Sequence, residues 1–125
     1  MYTDPIADLL TRIRNASRAN ITICYIPYSK LKESILKIVQ AKGFVEKYEK
    51  TEDKHPELAV TLKEGKVINL KRISKPGQRI YMKKTEMKFF KKGLGVRIVS
   101  TSKGLMTSEE AAKNSLGGEV ICEIY

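Results

Sequence analysis

Three consecutive hydroxyl side chains, Ser100, Thr101 and Ser102, are followed at once by Lys103 and Gly104. Each hydroxyl can donate and accept, and the lysine adds a compact cation with three donors. The group stands where an apolar run (Val96, Ile98, Val99) gives out, and Gly104 tolerates positive φ, so the pattern predicts a tight turn that presents donors outward. Small hydroxyls and turn amides approach a phosphate or a sugar closely, so such a turn suits a polar, anionic partner.

The same residues fit Ser-x-x-Lys, a nucleophile pattern in which the lysine helps activate the serine. That chemistry needs the motif to open a helix, with Ser-Asp-Asn and Lys-Thr-Gly elements nearby. Here Gly104 follows at once, and Lys84-Thr85-Glu86 is no substitute. No catalytic residue is assigned, and the expectation is a binding protein rather than an enzyme. Gly93-Leu94-Gly95 lacks the third glycine of a dinucleotide loop, because Ile98 stands in its place. His55, the single histidine, lies beside Pro56 in a polar loop, and neither Cys24 nor Cys122 has a second ligand at metal spacing. No metal, cofactor or small-molecule substrate is therefore expected, and the cysteines read as small buried hydrophobes.

Charge narrows the partner. The chain has 125 residues with 24 Lys and Arg against 14 Asp and Glu, a net charge of +10. That is the footprint of a nucleic-acid binder. Residues 67–92 hold nine Lys or Arg and one Glu, whereas residues 93–125 hold three Lys or Arg and four Glu. The basic segment would attract a nucleic acid and the nearly neutral 100–119 surface would read it. No run approaches the roughly 20 apolar residues that span a bilayer, so no membrane partner is expected.

Several elements must position these groups. Asp4 and Pro5 start a helix whose buried stripe is Ile6, Leu9, Leu10 and Ile13, leaving Thr11, Arg14, Asn15 and Arg18 on another face with Arg12 at its border. Residues 21–26 read as a strand stopped by Pro27. Ser29 caps a second helix with Leu31, Ile35, Ile38 and Val39 inward, and Gly43 ends it. Strands over 44–48 and 58–62 complete an α-β-α-β-β half. Glu64-Gly65-Lys66 is the expected junction, which gives halves 1–65 and 66–125. Strands over 67–73 and 79–82 flank Lys75-Pro76-Gly77-Gln78, a Pro-Gly sequence that predicts a type II turn. Tyr81 lies among cations there, with stacking on a base and core packing both open. Thr107 and Glu110 form a capping box for a short helix ended by Leu116-Gly117-Gly118. The last strand alternates, with Val120, Cys122 and Ile124 inward. If its start lies near residues 100–104, Glu119 could accept from a base amino group; a simple helix-to-strand turn is the alternative. The fold class is α+β, an N-terminal α-β-α-β-β half packed against a mostly β C-terminal half with one short helix.

Five stretches together carry a family resemblance. They are Thr3 to Asp8 with Leu10 to Asn15, Ile73 to Tyr81, Gly93 to Gly95, Ser100 to Thr107, and Gly117 to Glu119. In this order, end to end, they resemble the bacterial-type family of small-subunit ribosomal protein eight. The resemblance implies a structural constituent of the small ribosomal subunit, in the cytoplasm or an organelle. It would bind the central domain of small-subunit ribosomal RNA early in assembly, touch neighbouring ribosomal proteins, and repress its own messenger RNA. Carried over by motif, the primary RNA contact would be Ser100, Thr101, Ser102, Lys103 and Gly104 with Gly118 and Glu119, flanked by Tyr81. Thr3, Asp4, Arg12, Arg14, Asn15 and Lys30 would touch a second RNA segment. RNA duplexes hide base edges in a narrow major groove, so an irregular helix with a widened or unpaired core is the expected target.

Overall fold

The computed structural model describes residues 4–63, 68–87 and 95–125. Among them are three helices and eight strands paired antiparallel, an α+β chain as expected. The chain forms two compact units, Pro5–Ile68 and Asn69–Tyr125, and Asp4 belongs to the second. The expected junction at 64–66 lies outside the described residues.

In the first unit, α1 (Pro5–Arg18) starts on proline, whose missing N–H would have no helical partner there. It buries Ile6, Leu9, Leu10 and Ile13, the expected stripe, and adds Ala16 and Ser17. Ser17 is buried because its Oγ accepts from the Ile68 N–H at 2.9 Å. β1 (Ile23–Pro27), β2 (Val45–Lys50) and β3 (Glu57–Leu62) form a sheet in the order β1-β3-β2. Pro27 stops β1 as expected and is itself its last residue, paired with Glu57, because an edge strand has N–H groups with no ladder partner to lose. β3 alternates cleanly, with Leu58, Val60 and Leu62 buried.

Helix α2 (Lys30–Ala41) starts where Ser29 Oγ accepts from the Lys32 N–H at 3.1 Å, and Gly43 takes φ +82° just past its end. Its buried stripe differs from expectation. Lys32, Ile35, Leu36 and Val39 face inward, Ile38 is half-buried and Leu31 is exposed. The reason is Lys32, which lays its alkyl stem inside while Nζ donates to the Pro27 carbonyl at 3.2 Å. A hydropathy pattern counts that stem as polar and so turns the helix by one residue.

In the second unit, β4 (Leu70–Arg72), β6 (Val96–Thr101) and β7 (Gly104–Thr107) assemble around β8 (Gly118–Ile124) in the order β4-β8-β6-β7, and β5 (Tyr81–Met82) also pairs with β8. Helix α3 (Ser108–Lys113) is capped by Thr107, whose Oγ1 accepts from the Glu110 N–H at 3.2 Å. Under it Met87, Val99, Met106, Ala111 and Val120 form a core. The Lys75–Gln78 hairpin closes as expected, but Gly77 keeps out of the positive-φ region that a type II turn requires.

The alternation expected in β8 fails. Val120, Ile121, Cys122, Glu123 and Ile124 are all buried. β6 pairs Ile98 with Cys122 and then Val99 with Val120, so Ile121 is an extra residue, a bulge that breaks the two-residue period. The backbone it exposes is used: the Ile121 carbonyl accepts from Arg72 Nη1 at 2.7 Å and from the Ile73 N–H at 3.1 Å. Glu123 is buried against Arg97, whose Nη2 lies 3.3 Å from Oε2.

Both cysteines are free thiols, Cys24 half-buried and Cys122 buried. Burial pushes the Cys122 thiol up to about 12, against an ordinary value of 9.0. The folded form therefore keeps its proton between those values while the unfolded chain releases it, so this group's stabilisation is full below pH 9 and is lost as pH rises toward 12. A thiol reagent at pH 9 should label Cys24 first and Cys122 only at the rate of unfolding. Equal labelling rates for the two, read by mass spectrometry, would contradict this.

Candidate RNA-binding site

The expected turn is a hairpin tip between β6 and β7, closed by the pair Thr101 and Gly104. Ser102 and Lys103 form its centre and keep negative φ, while Gly104 takes φ +106°. Both central residues are exposed. The three hydroxyls do not do the same work. Thr101 Oγ1 accepts from the Lys103 N–H at 3.1 Å and donates to the Gly104 carbonyl at 2.9 Å, so this hydroxyl is spent on holding the turn. Ser100 and Ser102 make no side-chain hydrogen bond among the described residues.

Beside the tip, sheet pairing lines up residues that lie far apart in the chain. Leu105 pairs with Ser100, Ser100 with Glu119, and Glu119 with Tyr81. Directly opposed residues of an antiparallel sheet share one face, so these four form a row across four strands. The sequence left open whether Glu119 lies near residues 100–104, and the pairing puts it beside Ser100. Tyr81 is 69 % exposed, which removes the core-packing alternative. Tyr81 thus stands exposed on the sheet directly opposite Glu119.

Gly118 allows that row to form. A Cβ there would overlap the Ser100 carbonyl oxygen and come within 2.9 Å of its carbon, both backbone atoms that cannot turn aside. Gly117 is similarly confined, with the Met82 carbonyl oxygen 2.9 Å from where its Cβ would be. The glycine pair is therefore a close approach of three strands and not only a helix-to-strand turn.

Charge on this unit separates into two kinds. Lys71, Lys75, Arg79, Lys83, Lys84 and Lys103 are exposed cations. Glu119 is partly covered, its side chain 14 % exposed, and is held by Arg79, whose Nη1 lies 3.0 Å from Oε2 and 3.3 Å from Oε1. Sequence reasoning missed Arg79 as a site residue, because its partner lies 40 positions away and only strand pairing brings the two together. The signal available was its position directly after the Lys75–Gln78 hairpin, inside the basic segment.

The second expected set is placed as follows. Arg12, Arg14, Asn15 and Lys30 belong to the first unit, Arg14 half-buried and the others exposed. Arg12 is already engaged: Nε pairs with Asp8 at 3.0 Å and Nη1 donates to the Tyr25 carbonyl at 3.3 Å. Asp4 accepts from Arg72 Nε at 3.1 Å, with its side chain 19 % exposed. Thr3 lies outside the described residues, as do Lys91 to Leu94. The described residues hold no group of three His, Cys, Asp or Glu able to bind a metal, and no helix among them is long and apolar enough to cross a membrane. Ser100 and Lys103 fall on a strand end and a hairpin tip, not at a helix start, so the Ser-x-x-Lys geometry is not formed.

Two glycines separate the structural account from a simple turn preference. Gly118→Ala should destabilise the fold by about 1–3 kcal/mol through overpacking against the Ser100 backbone. Gly77→Ala, with nothing near its Cβ position and no positive φ, should leave thermal stability unchanged or slightly raised. Melting temperatures that fail to rank the two variants in this way would remove the close-approach argument.

Residues 4–125 match the family model described as ribosomal protein S8. The chain is 52 % identical over 131 residues to small ribosomal subunit protein uS8 of Caldanaerobacter subterraneus subsp. tengcongensis, covering 100 % of this chain and 99 % of that protein. It is 44 % identical over 138 residues to the uS8 of Thermus thermophilus, covering all of both. The uS8 of Acholeplasma laidlawii is 47 % identical over 130 residues. With the family model spanning nearly every residue and relatives matching end to end, this chain belongs to the ribosomal protein S8 family.

Proposed function

We propose that the chain is a structural constituent of the small ribosomal subunit, in the cytoplasm, and a primary binder of ribosomal RNA in the central domain of that subunit. Family membership supports the subunit assignment and an RNA-binding rather than an enzymatic role. The observation that carries the RNA-facing assignment is the row Leu105–Ser100–Glu119–Tyr81 beside an exposed Ser102-Lys103 tip.

Each member of that surface has a task in RNA chemistry. Lys103 and the exposed cations of residues 71–84 neutralise phosphates, which supplies affinity and its salt dependence but no sequence information. Ser100 and Ser102 offer hydroxyls able to donate to or accept from a ribose 2′-OH or a base edge. Tyr81 offers a ring on which an unstacked base can lie. Glu119 accepts from an amino group and rejects an acceptor at the same place. Gly104 and Gly118 bring backbone to the surface without side-chain bulk. Because base edges are hidden in a regular RNA duplex, this equipment suits an irregular helix with a widened or unpaired core. Arg12, Arg14, Asn15 and Lys30, with Thr3 and Asp4, are proposed to touch a second RNA segment, and neighbouring small-subunit proteins are proposed to share the edges of the surface. A messenger RNA folded like the ribosomal site would occupy the same surface, so repression of the chain's own messenger is part of the proposal.

The deciding measurement is a salt titration of binding to a central-domain ribosomal RNA fragment, with a regular RNA duplex of equal length alongside. The fragment should stay preferred as salt rises. Lys103→Ala should weaken both RNAs alike and lower the salt slope by about one. Ser102→Ala should leave duplex binding unchanged and cost about 1 kcal/mol, roughly fivefold, on the fragment alone. Wild-type affinities for the two RNAs that fade together with salt would reduce the protein to a general polycation and overturn the site.

A further inference from the structure

We infer that Arg79 is a positioning residue for RNA selection, which holds the Glu119 carboxylate in a fixed, charge-compensated pose between Tyr81 and Ser100. The inference rests on the RNA-facing reading of that row. A bare carboxylate in the middle of a surface that receives phosphates would repel them, and a free glutamate rotates among several rotamers. Both difficulties are removed by one guanidinium.

The geometry is specific. Nη1 alone reaches both Glu119 oxygens, at 3.0 and 3.3 Å. Nε and Nη2 bond no described residue, so the guanidinium keeps donors free for a phosphate while it stays on Glu119. The pair is asymmetrically exposed, the Arg79 side chain 52 % and that of Glu119 14 %. The arginine is thus the outer member and the carboxylate the one seated in the sheet.

The backbone that carries Arg79 is pinned from several directions. Ser74 is fully buried, and its Oγ accepts from the Ile80 N–H at 2.8 Å and donates to the Ile80 carbonyl at 3.1 Å. That carbonyl also accepts from the Val120 N–H at 2.9 Å. Lys75 and Gln78 exchange both backbone hydrogen bonds at 2.9 Å and close the hairpin just before Arg79. Residues 79–81 therefore have a fixed path, and Arg79 approaches Glu119 from a fixed origin. An exposed ion pair contributes little to stability, so the value of this one lies in orientation.

The test is a double-mutant cycle read on two RNAs, the central-domain fragment and the regular duplex. Arg79→Ala should lower fragment affinity about tenfold more than duplex affinity, and in a Glu119→Gln background that extra loss should vanish. Arg79→Lys, which keeps the charge but ends one bond short of the Nη1 position and has no further nitrogens for a phosphate, should bind the duplex as wild type does while still losing preference for the fragment. Melting temperatures close to wild type would confirm that the variants fold. Equal losses on both RNAs would make Arg79 an ordinary phosphate contact, additive losses would separate it from Glu119, and full preference in Arg79→Lys would show that charge alone suffices. Any of these overturns the positioning role while leaving the RNA-facing reading intact. A wild-type protein with no preference for the fragment would overturn both.

Discussion

The second unit depends on how closely β8 can approach β6 at Gly118. Backbone meets backbone there, with the Ser100 carbonyl in the space that any side chain would fill. That approach draws β5 and β6 onto opposite sides of one strand and sets Tyr81, Glu119 and Ser100 level with one another. A methyl group at this position would force the strands apart. Since cross-strand neighbours lie within about 5 Å only when pairing is intact, the whole row would lose its alignment together.

A second consequence concerns the bulge at Ile121. By adding one residue to β8 it changes which side chains face which way between Val120 and Cys122. Val120 can then join the core under α3 while Glu119, only one residue earlier, lies beside Ser100 and Tyr81. The freed backbone is satisfied by Arg72, which also holds Asp4. A basic residue that composition alone would count toward nucleic-acid binding is here committed to the fold. Arg97 is committed likewise, to buried Glu123.

This division bears on how a strongly cationic chain achieves discrimination. Exposed lysines raise affinity for any polyanion and cannot by themselves tell one RNA from another. In the proposed site the groups that would discriminate are neutral or neutralised: two serine hydroxyls, a tyrosine ring, two glycines and a carboxylate compensated by Arg79. Thr101, with the same hydroxyl as its neighbours, also ties the turn, accepting from the Lys103 N–H and donating to the Gly104 carbonyl.

Much of this was legible in the residues. Pro5 at a helix start, Ser29 and Thr107 as caps, Gly43 as a stop, the stripe of α1 and the hairpin at Ser102-Lys103 all follow from local chemistry, since cap, turn and helical period involve residues within four positions of one another. The cationic surplus and the family resemblance were equally available. Most of what sequence reasoning misread was set by partners remote in the chain. The burial of β8 follows a bulge set by its pairing with β6, and the ion pair of Arg79 follows from Glu119 pairing opposite Tyr81; Lys32 was misread for a nearer reason, its stem being counted as polar while its ammonium reaches the Pro27 carbonyl. The chain by itself determined its local elements and its cationic surplus; tertiary structure decided which charges are committed to the fold, because pairs such as Arg72 with Asp4, Arg79 with Glu119 and Arg97 with Glu123 form only when segments distant in sequence are brought side by side.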